Sequence, residues 1–438
     1  LGDDQVGCTP FSSQGRILFI KNHCYKMQLL FFLLLRSGRM ELFDEHCLSK
    51  SYLWQEIARP QVHGYDMNAV AWLSPTSYVS AGDEKIARVF KATRTFFAAY
   101  EQSSGIRCTL GDQSLAEGKY IGTCRYVSCY TFLKLLPTIL PAGVFLDGRH
   151  WLTSRSHYIY PVPLPTEDRL QQTTLWPEAK KLYGHAYEVY CLAAHPHLLL
   201  VASACLATKP QHAFIILWNG YTDWTIHAVS RLTHHQLTVT QLTWSPNGQF
   251  LLAVSRDRTW SVWYGVDLLA YPAKGKSHSR IIWAGAWTPD SRYFLTGSRD
   301  KAILVWTVPS VLDSNAAAPV ASVPLDARHN CSDAVTALDV IGLTHSTSSW
   351  NYLVALGLES GQLQLLLFRL SPPDQSSSAT RIDWSPPILF NPELCHVKNK
   401  RVRRLVFAPF GGSAARRILA SAADDGLVRL FEVDIEQC

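Results

Sequence analysis

Hydrophobic and polar residues alternate over short stretches of this chain, and one such pattern occurs twice between His235 and Trp306. Residues 235–263 and 278–306 align over 29 positions without a gap, at an offset of 43 residues, and nine positions are identical. A period of about 40–45 residues that opens with His and closes with Trp is typical of a four-stranded propeller blade. The pattern therefore predicts an all-β fold, a β-propeller.

Each copy is predicted to fold as short strands separated by tight turns. In the first copy, Leu237, Val239 and Leu242 alternate with polar residues, as a strand with one buried face requires. Residues 245–248, Ser-Pro-Asn-Gly, contain the Pro and Gly that favour a turn. The nearly continuous apolar run at 250–254 is typical of a strand that packs on both faces.

Weaker versions of the pattern bring the number of legible blades to six. Their opening residues are His63, His185, His235, His278, His329 and His396. A closed ring removes exposed sheet edges, so we expect seven blades, the last one drawn from residues 1–53 or 101–162. We divide the chain into an N-terminal segment, 1–53, with at most part of a blade, and a propeller, 54–438, interrupted by an irregular insertion at about 101–162.

The blade that opens with His185 departs from the two copies. It closes at Trp218, five residues later than the copies would, and His212 stands where they have Asp. His195 and His197 flank a proline in a predicted turn of the same blade. Two histidines could serve as metal ligands, but the spacing favours an exposed loop.

Several stretches carry a more specific signal than the blade pattern. They are 54–66 (WQEIARPQVHGYD), 175–185 (LWPEAKKLYGH), 250–263 (FLLAVSRDRTWSVW), 280–283 (RIIW) and 297–301 (GSRDK). These residues resemble the WD-repeat family and, within it, the second subunit of the Elongator complex. That family has two consecutive propellers, and this chain is similar to the second of them.

The resemblance implies a structural role for the polar residues of the blades. In WD-repeat proteins His, Ser, Asp and Trp of one blade form a hydrogen-bonded set, because a buried imidazole or carboxylate is costly without partners. The residues at these positions are His235, Ser255, Asp257 and Trp263, then His278, Ser298, Asp300 and Trp306, with His185 and Trp218 in the preceding blade.

The resemblance also implies a function as a non-catalytic scaffold subunit. Elongator modifies the wobble uridine of transfer RNA, and its radical S-adenosylmethionine and acetyl-CoA chemistry belongs to the third subunit. The implied partners are the largest and the catalytic subunits, with at most weak or indirect contact to transfer RNA and no membrane. The implied location is the cytoplasm, with the nucleus as a second compartment.

Composition agrees with a folded, strand-rich chain. Of the 438 residues, 47% are hydrophobic, 14 are Trp and only 17% are charged, which supports a large buried core and argues against disorder. The 11 cysteines show no Cys-x-x-Cys spacing, so neither a zinc site nor a disulfide framework is expected and a reducing compartment is favoured. The apolar run at 27–35 is too short to span a bilayer.

Two basic groups are candidate partner-binding sites. The net charge of +6 is compatible with an acidic protein surface or RNA. The candidates are Arg256, Arg258, Arg299 and Lys301, at equivalent turns of neighbouring blades, and Lys398, Lys400, Arg401, Arg403 and Arg404 near the C-terminus. Because aromatic residues do not alternate with these charges, protein contact is favoured over base stacking. Solvated turn tips are the alternative interpretation.

No enzyme motif is present in the sequence. It lacks a phosphate-binding loop, a Gly-x-Ser-x-Gly element and a His-Glu-x-x-His pair, so we predict no catalytic, cofactor-binding or metal-binding residues. A propeller enzyme would need convergent carboxylates or metal ligands at the central opening. The other alternative is a WD-repeat adaptor or substrate receptor of another assembly. A Trp-Asp-x-Arg motif at the end of a blade would favour that alternative, but Thr307 follows Trp306 here.

Overall fold

The computed structural model describes residues 33–36, 53–56, 65–74, 76–96, 175–264, 269–271, 278–308, 328–343, 352–371, 381–407 and 416–434. The predicted blade opener His63, the predicted insertion at 101–162 and most of the N-terminal segment lie outside these residues.

Short antiparallel strands make up most of the described chain. The strands of its first half are β1 (Leu33–Arg36), β2 (Leu53–Glu56), β3 (Met67–Ser74), β4 (Ser77–Gly82), β5 (Ile86–Lys91), β6 (Glu178–Tyr183), β7 (Val189–Ala194), β8 (Leu200–Cys205), β9 (Phe214–Asn219), β10 (Thr225–Thr233), β11 (Val239–Trp244), β12 (Phe250–Ser255) and β13 (Trp260–Tyr264). Two turns of 3-10 helix, Pro210–His212 and Gly220–Thr222, flank β9.

The second half continues in the same way. Its strands are β14 (Leu269–Tyr271), β15 (Ile282–Trp287), β16 (Tyr293–Ser298), β17 (Ala302–Thr307), β18 (Arg328–Asn330), β19 (Val335–Gly342), β20 (Tyr352–Leu358), β21 (Leu363–Ser371), β22 (Arg381–Trp384), β23 (Ile388–Leu389), β24 (Val402–Phe407), β25 (Arg416–Ala423) and β26 (Val428–Asp434).

The strands form six blade-like sheets in chain order and one two-stranded sheet, β1–β2. The sheets are β3–β6, β7–β10, β11–β14, β15–β18, β19–β22 with β23 added to β21, and β24–β26. The first strand of each sheet packs on the first strand of the next, from β3 to β24, and these strands surround one central cavity. The predicted WD-repeat β-propeller is therefore confirmed, and the expected number of seven blades stays a prediction.

The hydrophobic core lies between the blades. The second strands β8 and β12 are buried along their whole length, as the apolar run at 250–254 predicts. Neighbouring sheets approach closely where the second strand carries glycine. A Cβ atom at Gly297 would lie 2.6 Å from Cγ1 of Val335 on the next sheet, so any larger residue would push the blades apart.

The prediction that His329 opens a blade is wrong. The outer strand of each sheet comes before the opening residue of the next sheet. Strand β6 ends two residues before His185, and β10 ends two residues before His235. His329 lies inside such an outer strand, β18, where it pairs with Ile303. The position equivalent to the opening histidines is Cys331, which lies four residues before Val335, as His235 and His278 lie four residues before Val239 and Ile282.

Candidate functional site

In three blades the opening histidine is tied to an aspartate in the turn between the second and third strands. The Nδ1–Oδ2 distances are 3.1 Å for His235–Asp257, 3.0 Å for His278–Asp300 and 2.9 Å for His396–Asp425. Each carboxylate also accepts a bond from the backbone N–H of the residue after the histidine. The bonds place the opening loops and these turns at one end of the sheets, which we call the turn end.

The environment of these aspartates keeps them ionised. Burial alone would raise the pKa of Asp257, but the hydrogen bond and charge of His235, with bonds from Thr259 and Gln236, lower it well below the usual range. The pKa of Asp300 is lowered in the same way by His278, against the effect of burial. Because these carboxylates are ionised near neutral pH, they are not proton donors there, and their hydrogen bonds stabilise the turn end.

The residue that joins His to Trp is not Ser255 or Ser298, whose Oγ atoms accept bonds from the backbone N–H groups of Asp257 and Asp300. In the first copy, Oγ of Ser261 lies 2.9 Å from Nε2 of His235 and accepts a 3.0 Å bond from Nε1 of Trp263. In the second copy, Thr296 makes the equivalent contacts, both 2.9 Å long, with His278 and Trp306. Ser255 and Ser298 instead donate to backbone carbonyl groups next to the opening loops, because they lie at the ends of their strands.

The hydroxyl group that bonds to the opening histidine lies at one of two positions that face each other on the second and third strands. Ser203, Thr296 and Ser421 supply it from the second strand. In the blade of His235 that position is Ala253, whose cross-strand partner is Ser261 on the third strand. In the fifth sheet the third-strand position is Gln364, which faces Leu356 and donates a 3.0 Å bond to Oγ of Ser332 in the opening loop.

The blade of His185 has a reduced set. Ser203 bridges Nε2 of His185 and Nε1 of Trp218 at 2.7 Å each. His212, six residues before Trp218, does not replace the aspartate, because it bonds to the neighbouring Gln211. Nδ1 of His185 is buried without a partner, and burial lowers the pKa of this imidazole to about 4. This histidine is therefore neutral at physiological pH.

The histidines that flank Pro196 join two blades rather than bind a metal. Nε2 of His195 lies 2.9 Å from the carbonyl oxygen of Gly248, and Nε2 of His197 lies 3.0 Å from that of Pro246, both on the next sheet. His195 is buried against Trp244, so the exposed-loop prediction is wrong for this residue. Within the described residues no group of three His, Cys, Asp or Glu side chains could hold a metal ion.

The first basic group lies at the turn end and is exposed. Arg256 and Arg258 have no ion pair among the described residues. Arg299 lies 3.4 Å from Glu359, and Lys301 lies 3.8 Å from Asp333, so both are partly neutralised by the next sheet. The net positive charge of this group is therefore concentrated on the blade of His235.

The second basic group divides between the surface and the centre. Lys398 and Lys400 are exposed in the loop after the opening histidine. Arg401, Arg403 and Arg404 line the central cavity, which has a volume of about 130 Å³ and includes residues from all six blade-like sheets. These three arginines therefore face a different environment from the two lysines. The difference can be recognised only once the position of β24 in its sheet is known.

Asp339 is a half-buried acid that the sequence analysis did not single out, although it is the one charged residue in the apolar strand β19. Its Oδ2 accepts a 2.7 Å bond from the backbone N–H of Phe407 on β24. Burial raises the pKa of Asp339 to about 6, against the effect of this hydrogen bond. The carboxyl group thus joins two neighbouring inner strands and titrates close to neutral pH.

We expect Asp339 to make the folded state less stable as the pH rises. Since folding raises this pKa, the stabilisation is complete below about pH 4 and is lost as the pH passes through 6. Asp339→Asn keeps an acceptor for Phe407, so above pH 7 we expect it to be about 1–3 kcal/mol more stable than the parent. Urea unfolding from pH 4 to 8 measures this, and equal pH profiles for the two proteins would contradict it.

No helix in the described part of the chain is long and apolar enough to cross a membrane.

Comparison with known proteins identifies the repeats and a set of relatives. The WD domain, G-beta repeat model matches residues 227–264 and 273–307. Elongator complex protein 2 of Danio rerio is 36% identical over 429 residues, covering 88% of this chain and 50% of the relative. The Homo sapiens protein of that name is 41% identical over 415 residues, covering 87% and 48%. The chain spans about half the length of the curated relatives it matches.

Proposed function

Since this chain belongs to the Elongator complex protein 2 family, we propose that it is a non-catalytic WD-repeat scaffold of an Elongator complex. In this proposal the propeller docks the largest and the catalytic subunits and thereby supports wobble-uridine modification of transfer RNA. The role would be carried out in the cytoplasm, with the nucleus as a second compartment.

The observation that carries the proposal is that one set of polar residues is buried and bonded within the blades, whereas another is exposed. In the described blades the histidines, aspartates and bridging hydroxyl groups are buried and bonded to one another. Arg256 and Arg258, in contrast, project from a turn into solvent and form no ion pair with any described residue. The first set can hold a rigid ring together, and the second is available to another molecule.

The chemistry of the turn end favours a protein partner. Exposed apolar side chains, Tyr187, Leu237 and Val397, lie in opening loops at the same turn end as the first basic group. Arginine next to aromatic and aliphatic side chains is typical of protein interfaces. A partner with an acidic surface would complement the charge of this end, and contact with transfer RNA would be weak or indirect.

Reversing two charges should separate the chain from its partners. We expect Arg256→Glu with Arg258→Glu to lower the recovery of the largest and catalytic Elongator subunits about tenfold, equivalent to 1.4 kcal/mol. Tagged chains are purified from cells that contain Elongator, with and without ribonuclease, and partners are quantified by mass spectrometry. Recovery that persists after ribonuclease treatment indicates protein contact.

Arg292→Glu provides the matched control. Arg292 is exposed in the turn between the first and second strands of the neighbouring sheet, at the opposite end from Arg256. This variant should bind partners like the parent. Parent chain that copurifies with another assembly and with no Elongator subunit would refute the proposal and favour the adaptor alternative.

A further inference from the structure

The central cavity contains an unusual concentration of positive charge. Its charged lining consists of Arg401, Arg403 and Arg404 on or next to β24, together with Asp83 and Asp424. Asp83 accepts a 2.8 Å bond from the amide of Asn68, on the opposite side of the cavity lining. Asp424 forms ion pairs with Arg401 and Arg403.

Arg404 has no counter-ion in the part of the chain that the structure describes. Among the described residues no carboxylate lies within ion-pair distance of it, and its one side-chain bond is a 3.3 Å contact from Nη1 to the carbonyl oxygen of Arg403. Burial lowers the pKa of this guanidinium, and the charge of Arg403 acts in the same direction. A partly buried charge without a partner is costly, so an anion held in the cavity would be stabilised by this guanidinium.

The neighbouring arginines add to the unfavourable charge. Arg403 bonds to Asp424 through Nε, and Nε of Arg401 lies 3.7 Å from the same carboxylate. Two arginines thus share one aspartate. The guanidinium of Arg401 also lies 4.6 Å from the ring centroid of Trp283, on the fourth sheet, which fixes it inside the cavity.

We propose that this arginine-lined cavity binds a small free phosphate anion, inorganic phosphate or pyrophosphate, with Arg404 as the main contact. This binding site is separate from the scaffold role and does not depend on it.

The class of ligand follows from size and from donor geometry. A cavity of about 130 Å³ is smaller than the roughly 300–1,000 Å³ of ordinary ligand pockets, so its size suits a small anion. Each guanidinium offers a planar fork of N–H donors that matches phosphate oxygens. A phosphate has enough acceptor oxygens for several converging arginines, whereas a carboxylate has only two.

Calorimetric titration of the full 438-residue chain tests the proposal directly. Phosphate, pyrophosphate and acetate are titrated at an ionic strength held constant with sodium chloride. We expect saturable 1:1 binding of phosphate or pyrophosphate, and the stronger of the two identifies the ligand that the cavity fits. Acetate should bind at least tenfold more weakly. No saturable binding of either phosphate anion, or equal binding of acetate, would overturn the proposal.

Variants of Arg404 then locate the site. Arg404→Met should weaken anion binding at least tenfold, yet without anion it should be at least as stable as the parent, because an uncompensated charge has been removed. Arg292→Met, at an exposed position outside the cavity, should bind like the parent. Arg404→Lys keeps the charge but loses the fork, so it should bind several-fold more weakly. Unchanged affinity in both Arg404 variants would refute the assignment.

Discussion

Trp306→Ala is expected to lower the free energy of unfolding by about 3–5 kcal/mol. The indole is buried between the third and fourth sheets, with its ring centroid 4.6 Å from that of Trp260 and 6.1 Å from that of Phe294. Its Nε1 donates a 2.9 Å bond to Thr296. The substitution therefore leaves a large cavity at a junction between blades and removes one partner of a buried hydroxyl group.

The measurement is urea unfolding followed by circular dichroism, with Trp306→Phe as the matched control. Phenylalanine keeps most of the aromatic volume and loses the N–H donor, so we expect it to cost about 1–2 kcal/mol. A similar loss in both variants would show that the hydrogen bond, rather than the packing, accounts for the effect. A loss below 1 kcal/mol for Trp306→Ala would contradict the burial of this residue.

Ser261→Ala should have the second largest effect, and a second substitution should reverse it. Removal of Oγ leaves the ring nitrogen of His235 and the N–H of Trp263 without their shared partner inside the protein. Leaving buried polar groups unpaired costs about 1–3 kcal/mol each, so we expect a total loss of about 2–4 kcal/mol. Adding Ala253→Ser should recover most of it, because Ala253 faces Ser261 across the strands.

The neighbouring blade gives the control for this rescue. Thr296→Val removes the equivalent hydroxyl group from His278 and Trp306, so it should destabilise by a similar amount. Ala253→Ser should not restore that variant, since it lies in a different sheet. Thermal and urea unfolding of the single and double variants measure the coupling. Additive effects of Ser261→Ala and Ala253→Ser would mean that the two positions are not interchangeable.

The periodic part of the fold could be predicted because strand patterns are local. Alternation and apolar runs located the strands around Leu242 and 250–254 to within a few residues. The placement of His329 could not be predicted in this way, because it depends on which sheet receives the strand before each opening residue. Neither could the choice of Ser261 over Ser255, which depends on the pairing of β12 with β13.

The candidate sites show the same limit. Charge along the sequence singled out both basic groups, and their spacing correctly placed Arg256 and Arg299 at equivalent turns. Nothing local distinguishes Arg404 from Lys398, although one lines the central cavity and the other is exposed. That difference arises only when the inner strands of six sheets surround a common axis. Ser261 had a recognisable signal, as a lone polar residue between Trp260 and Val262.

The long separation between β5 and β6 has a consequence for synthesis on the ribosome. The outer strand of the first sheet, Glu178–Tyr183, follows Lys91 only after the 86 residues from 92 to 177. At typical elongation rates that interval lasts roughly 4–17 s, during which the edge of β5 has no covering strand. Later sheets acquire their outer strands much sooner. Nascent chains arrested within this interval should therefore be the ones that recruit chaperones.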